Sequence, residues 1–148
     1  MMKGHNEHAY WLKETMRLMP EVHQAVRSLY FTELELRQIG LKEKADNFRA
    51  VKIQMYDFEM DCRIRNGELI ESTLLKSKER KLLRLRFVRG RTWRHLYNSL
   101  GYSPDHCKRI HRDGIAKVAK QFADKDFKSE YEREHARLDA LLEMIGER

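Results

Sequence analysis

An all-α fold follows from three features of this 148-residue chain. Only 2 Pro and 7 Gly punctuate it, too few for the many turns of a β-sandwich or barrel. Apolar residues recur at steps of three and four through most of its length, the spacing that lines one face of an α-helix. Charged residues make up 36% and hydrophobic ones 41%, the balance of long charged helices with narrow apolar stripes rather than of a disordered chain. The length suits one domain, or two small ones tightly joined. No apolar run approaches the roughly 20 residues that span a bilayer, so no membrane partner is expected. The opening MMKGHNEHAYWLKE has neither an apolar h-region nor a small-residue cleavage site. A cytoplasmic protein is therefore expected, with Cys62 and Cys107 as reduced thiols.

The first helix carries Leu12, Met16, Met19, Val22, Val26, Leu29 and Tyr30 on one face. Pro20 interrupts it and predicts either a kink or a fresh helix with the proline near its first position. Gly40 closes the segment. A second stripe, Leu41, Ala45, Phe48, Val51, Met55, Phe58 and Cys62, runs to Asn66-Gly67, where a left-handed stop is expected. Residues 1–75 thus form a long N-terminal helical hairpin whose two stripes pack on each other and on a third surface. Asp57, Glu59 and Asp61 fall on the polar side of the second helix and read as its solvated face. Residues 122–148 form a C-terminal amphipathic helix with Phe127, Tyr131, Leu138, Leu141, Leu142 and Ile145 on one face and Gly146 at its end. It either folds back on the hairpin or zips against a partner chain.

Between these lies residues 76–121, where the charge is concentrated. The chain's net charge is +7, yet residues 76–120 hold 14 basic residues against only Glu79, Asp105 and Asp113. The segments on either side are slightly acidic, so the positive field belongs to one module, the footprint of a phosphate-neutralising surface. Ser77 is placed to cap a helix burying Leu82, Leu83, Leu85 and Phe87, ended by Gly90. Thr92 caps a short helix from Trp93 to Leu100, whose Trp93, Leu96, Tyr97 and Leu100 read as core rather than as base-stacking groups. Gly101-Tyr102-Ser103 makes the turn: the glycine takes a positive φ, the tyrosine tucks between helices, and Ser103 caps a third helix with Pro104 first. That helix turns Cys107, Ile110, Ile115, Val118 and Ala119 inward and Asp105, His106, Lys108, Arg109 and Arg112 outward. A short helix, a glycine turn and a longer helix with an exposed basic N-terminal half is the geometry of a helix-turn-helix.

Leu83-Arg84-Leu85-Arg86-Phe87, Gly90-Arg91-Thr92, Leu100-Gly101-Tyr102-Ser103 and Lys108-Arg109-Ile110, in that order and spacing, resemble region 4 of bacterial sigma factors. A helical N-terminal segment followed by such a module is in turn similar to the ArpU and RinA-type late-gene transcription regulators of phages and prophages of Gram-positive bacteria. The resemblance implies a sequence-specific double-stranded DNA-binding regulator, a late-gene activator acting with host RNA polymerase. The hairpin and tail would then supply oligomerisation or polymerase contact. It places Pro104, Asp105, His106, Lys108 and Arg109 where that family presents base-reading and phosphate-binding groups, with Ser103 at the cap and Arg112 farther along the same helix also expected to bind DNA. Arg91, Thr92 and Arg94 fall where the phosphate backbone is met. Lys108 and Arg109 suit guanine O6 and N7 or phosphate, and Asp105 can accept from a cytosine amino group. Pro104 and His106 stand where the family often has Arg, so the sequence read should differ. Gly114 replaces a usual Ala, at about 1 kcal/mol of helix propensity, and is expected to mark a bend.

A homo-oligomer is expected because one helix-turn-helix reads few base pairs. The rival functions are a small terminase subunit, which would carry its DNA module nearer the N-terminus, and an adaptor that grips polymerase without DNA. No glycine-rich phosphate loop, nucleophile elbow or HExxH points to an enzyme. Cys107 and His111, or His95 and His106, lack the CxxC or HxxxH company of a metal site, so neither metal nor cofactor is expected.

Overall fold

The computed structural model describes residues 5–146, so Met1–Gly4 at the head of the N-terminal stretch read above lie outside it. Six helices and no strand occur among the described residues: α1 His5–Gln38, α2 Lys42–Glu71, α3 Ser77–Phe87, α4 Trp93–Leu100, α5 Pro104–Gln121 and α6 Phe127–Glu143. The chain is all-α, as its periodicity predicts. Gly40, at φ +85°, turns α1 into α2. The two stripes then bury Leu18, Met19, Val22 and Leu29 against Phe48, Val51, Met55, Phe58 and Cys62. The third surface is α6, which folds back on the hairpin and adds Leu138 and Leu141 to that core. Arg137 fastens it by pairing with Asp61 at 2.9 Å and lying 4.5 Å over the Phe58 ring. Arg65 of α2 pairs with Glu134. Two of the expected stripe residues stay in water: Tyr30 and Leu41 are about half exposed.

Pro20 does not restart the first helix: α1 is continuous through it. Proline removes the N–H that would have bonded the carbonyl of Met16, four residues back. That carbonyl instead accepts from Asn66 Nδ2 at 2.9 Å. The same amide donates to the carbonyl of Phe87 at the end of α3, at 2.8 Å. Asn66 is fully buried and its Oδ1 accepts from Arg65 Nε, so every polar atom of the amide is satisfied. Asn66-Gly67 is therefore not a helix stop. Gly67 has no positive φ, and α2 continues to Glu71, where Arg80 of α3 donates to the Ile70 and Thr73 carbonyls.

Glu59 corrects the sequence reading as well. It is buried, not solvated, because Arg63 donates to its Oε2 through Nε at 2.9 Å and Nη2 at 2.5 Å, while His23 Nδ1 of α1 lies 2.9 Å from the same oxygen. Arg63 also donates through Nη1 to the Val88 carbonyl, so this ion cluster holds the α3–α4 connection against the hairpin. Gly90 sits in the same connection at φ +72°, where a Cβ would come 3.0 Å from the His23 ring.

The basic module is seated, not tethered. Leu82, Leu83 and Phe87 of α3 and Cys107, Ile110, Ile115, Val118 and Ala119 of α5 share one core with Leu12 and Met16 of α1, Leu69 and Ile70 of α2, and Phe127 of α6. Leu85, expected inside, is only partly buried. Ser77 is the first residue of α3 rather than its cap. Glu79 does the capping instead, accepting from the Lys76 N–H at 2.8 Å and from Lys117 Nζ of α5 at 2.8 Å.

Candidate nucleic-acid interface

Both outer helices of the module begin with a satisfied cap. Thr92 Oγ1 accepts from the His95 N–H at 3.2 Å, and Ser103 Oγ accepts from the His106 N–H at 3.1 Å, with Pro104 at the first helical position. Gly101 adopts φ +70° between them and its N–H bonds the Tyr97 carbonyl, which ends α4 in one residue. The turn thus has the backbone its residues dictate. Each helix presents its N-terminal amides and positive dipole end outward, a setting that favours anions.

The side chains follow from the spacing. Asp105, Lys108, Arg109 and Arg112 lie at steps of three and four along α5, and all are exposed. Arg91, Thr92, Arg94 and Ser103 are exposed at the two capped ends. His106 departs from its expected outward place: it is half-buried, its ring edge-on to Tyr102 at 4.7 Å. Arg109 Nη2 lies 3.3 Å from His106 Nδ1, so the histidine positions a guanidinium rather than standing free. Arg86 does the same for the start of α4. Its Nη1 donates to the Arg91 carbonyl at 2.9 Å while its guanidinium lies 5.4 Å over the Trp93 ring. Trp93 and Tyr97 are partly buried against the module core, as their spacing predicts.

Ion pairing is uneven in both parts: Arg49 of α2 has no partner among the described residues, while Arg80, Arg84 and Lys117 of the basic module pair with Glu71 and Glu79. Arg17, Arg37, Lys52, Arg63 and Arg65 all make ion pairs with hairpin or α6 carboxylates. Among the described residues Arg91, Arg94, Lys108 and Arg109 make none; Arg112 has only the 3.5 Å contact to its neighbour Asp113. Of the three acids of the module, Glu79 is buried against Lys117. Burial raises its carboxyl, but Lys117 and the Lys76 N–H outweigh it and hold the group below its ordinary value. It stays an anion facing inward, so it subtracts little from the outer field.

Sequence reasoning missed Lys13. It lies on α1, yet Tyr10 and Lys13 share a cleft of about 340 Å³ with His111, Arg112 and Ile115 of α5. Lys13 extends the basic surface past Arg112, and only the docking of α1 on α5 reveals it. His111 closes the floor of that cleft between the Phe87 and Trp93 rings. Desolvation, helped by Lys13 and Arg86, pushes its imidazole down to about 4. Among the described residues no three His, Cys, Asp or Glu side chains are grouped to hold a metal ion, and no helix is long and apolar enough to cross a membrane. Comparison with protein-family models, curated proteins and solved structures returns no match.

Proposed function

We propose that the chain is a sequence-specific, double-stranded DNA-binding transcription regulator that lays α5 in the major groove. The observation that carries the reading is the set of four exposed cations without ion-pair partners among the described residues, Arg91, Arg94, Lys108 and Arg109, on two capped helices joined by a glycine turn. Cations left unpaired in water release counterions when they meet phosphates, and this term supplies most non-specific affinity. Asp105, Lys108 and Arg109 read base edges, His106 holds Arg109, and Arg91, Thr92, Ser103 and Arg94 fix the module on the backbone. Arg112 and Lys13 extend the phosphate track. The resemblance to sigma region 4, and to phage late-gene regulators built on it, supports activation of transcription with host RNA polymerase as the biological setting.

The test is selection of bound duplexes from random sequence, followed by the Lys108→Ala, Arg109→Ala double variant. The selected site should lose its preference over random DNA while circular dichroism stays unchanged. Binding that ignores both side chains, or that does not weaken with salt, would sink the reading. Retention of RNA polymerase without binding to any duplex would favour an adaptor instead.

A further inference from the structure

Large apolar side chains are exposed mainly on one face of the hairpin. Tyr30 and Phe31 of α1 are 47% and 55% exposed; Ile53, Tyr56, Met60 and Ile64 of α2 are 53%, 51%, 36% and 56% exposed. On α2 these positions are three, four and four apart, a continuous apolar stripe with Arg49 and Asp57 beside it. On α1 the face is the one half a turn from Ala25, Ser28, Thr32 and Leu36, which line the α6 side of the bundle. α6 therefore covers one side of the hairpin, and none of the described residues covers the other. At the centre of the bare side Val26, Tyr30, Phe31, Ile53 and Tyr56 line a groove of about 510 Å³ together with two cations, Arg27 and Lys52, the latter paired with Glu33.

We infer that this face is a two-fold interface and that its occupant is a second copy of the chain, packed α2 against α2 in antiparallel fashion across Ile53. Two observations favour a second copy over a different protein. Arg49 and Asp57 flank Ile53 at four residues on either side, both are exposed, and neither has an ion-pair partner among the described residues. An antiparallel pairing centred on Ile53 sets each Arg49 against the partner's Asp57. Finally, an aromatic side chain buries roughly 200 Å², so six half-exposed apolar side chains offer on the order of 500 Å². With the flanking charges this approaches the ~800 Å² per partner of a standard interface, and monomers rarely leave so much apolar surface contiguous. The use of the dimer, two helix-turn-helix modules on two half-sites, rests on the DNA-binding reading; the interface itself rests on the surface.

The full-length chain, without DNA, is measured by size exclusion with light scattering. Wild type should have twice the chain mass. Ile53→Asp and Tyr56→Glu should each give monomer mass with unchanged helical circular dichroism. Arg49→Glu or Asp57→Arg alone should weaken the dimer, and the two together should restore it. Since Cys62 and Cys107 are buried, Ile53→Cys under mild oxidation should give a cross-linked dimer, whereas Leu74→Cys, at the 91% exposed Leu74 of the α2–α3 connection, should not. A monomeric wild type, an Ile53→Asp variant of dimer mass, or a face protected only when RNA polymerase is added would overturn the proposal. Monomeric wild type that still binds DNA leaves the functional reading standing, and a dimer that binds no duplex overturns that reading alone.

Discussion

Met16 has a carbonyl that its own helix cannot satisfy, because the residue four positions on is Pro20; Asn66 supplies the missing donor from another helix. Replacing Asn66 by Leu leaves the Met16 and Phe87 carbonyls buried without donors, at about 1–3 kcal/mol each. Urea unfolding should show a loss of about 3 kcal/mol. In a Pro20→Ala background the N–H of residue 20 returns to Met16, so the same Asn66→Leu change should cost about 1–2 kcal/mol less; equal costs in the two backgrounds would refute the pairing. His111 makes a second residue-scale case. Its Nε2 is buried with no hydrogen-bond partner, and its imidazole is pushed from 6.5 down to about 4 by desolvation. Between those values the unfolded chain binds a proton that the folded chain refuses, so stability is full above about pH 6.5 and falls as pH drops toward 4. Wild type should lose roughly 2 kcal/mol between about pH 7 and pH 5 from this group. His111→Phe, which cannot take up the proton, should lose correspondingly less over the same interval.

At the scale of elements, α3 and α5 approach closely because Gly114 leaves room for Leu83. A Cβ on Gly114 would lie 3.0 Å from Leu83 Cδ1, and Leu83 is wholly buried, so the leucine would have to shift within a packed core. The glycine thus lies within a continuous α5 and makes room for this packing. Ala at 114 gains about 1 kcal/mol of helix propensity but overpacks the contact at about 1–3 kcal/mol, so Gly114→Ala should destabilise by about 1 kcal/mol. In a Leu83→Ala background, where the space is open, the same change should turn stabilising. What was legible in the chain divides along this line. The apolar stripes, the Thr92 and Ser103 caps and the Gly101 turn depend on neighbours within a few residues, and local pattern gave them correctly. Pro20, Asn66 and Gly114 break local rules, and each has its reason in a residue tens of positions away, Asn66, Met16 and Leu83 respectively; Glu59 is held both by Arg63 one turn on and by His23 of α1. Lys13 was invisible for the same cause.

At the scale of the molecule, a charge that sums to +7 acts as a concentrated basic surface on one module, held against a hairpin whose carboxylates occupy many of its own cations. If two copies pair through the hairpin, both modules should engage one duplex, and salt dependence counts them. Each phosphate contact contributes about 0.9 to the slope of log K against log salt. Arg91→Ala with Arg94→Ala removes two contacts per module, so the slope on a two-half-site duplex should shrink by about 3.6 for a dimer. In the Ile53→Asp background, on a single half-site, the same pair should shrink it by about 1.8. Filter binding across a salt series reads both quantities. If these side chains meet phosphate and not bases, as proposed, the order of preference among duplexes should survive their removal, whereas Lys108→Ala with Arg109→Ala should flatten it. A decrease near 1.8 in both backgrounds would mean that one module engages at a time, leaving the dimer without a role in site recognition; a twofold ratio ties the bare hairpin face to the reading of DNA by α5.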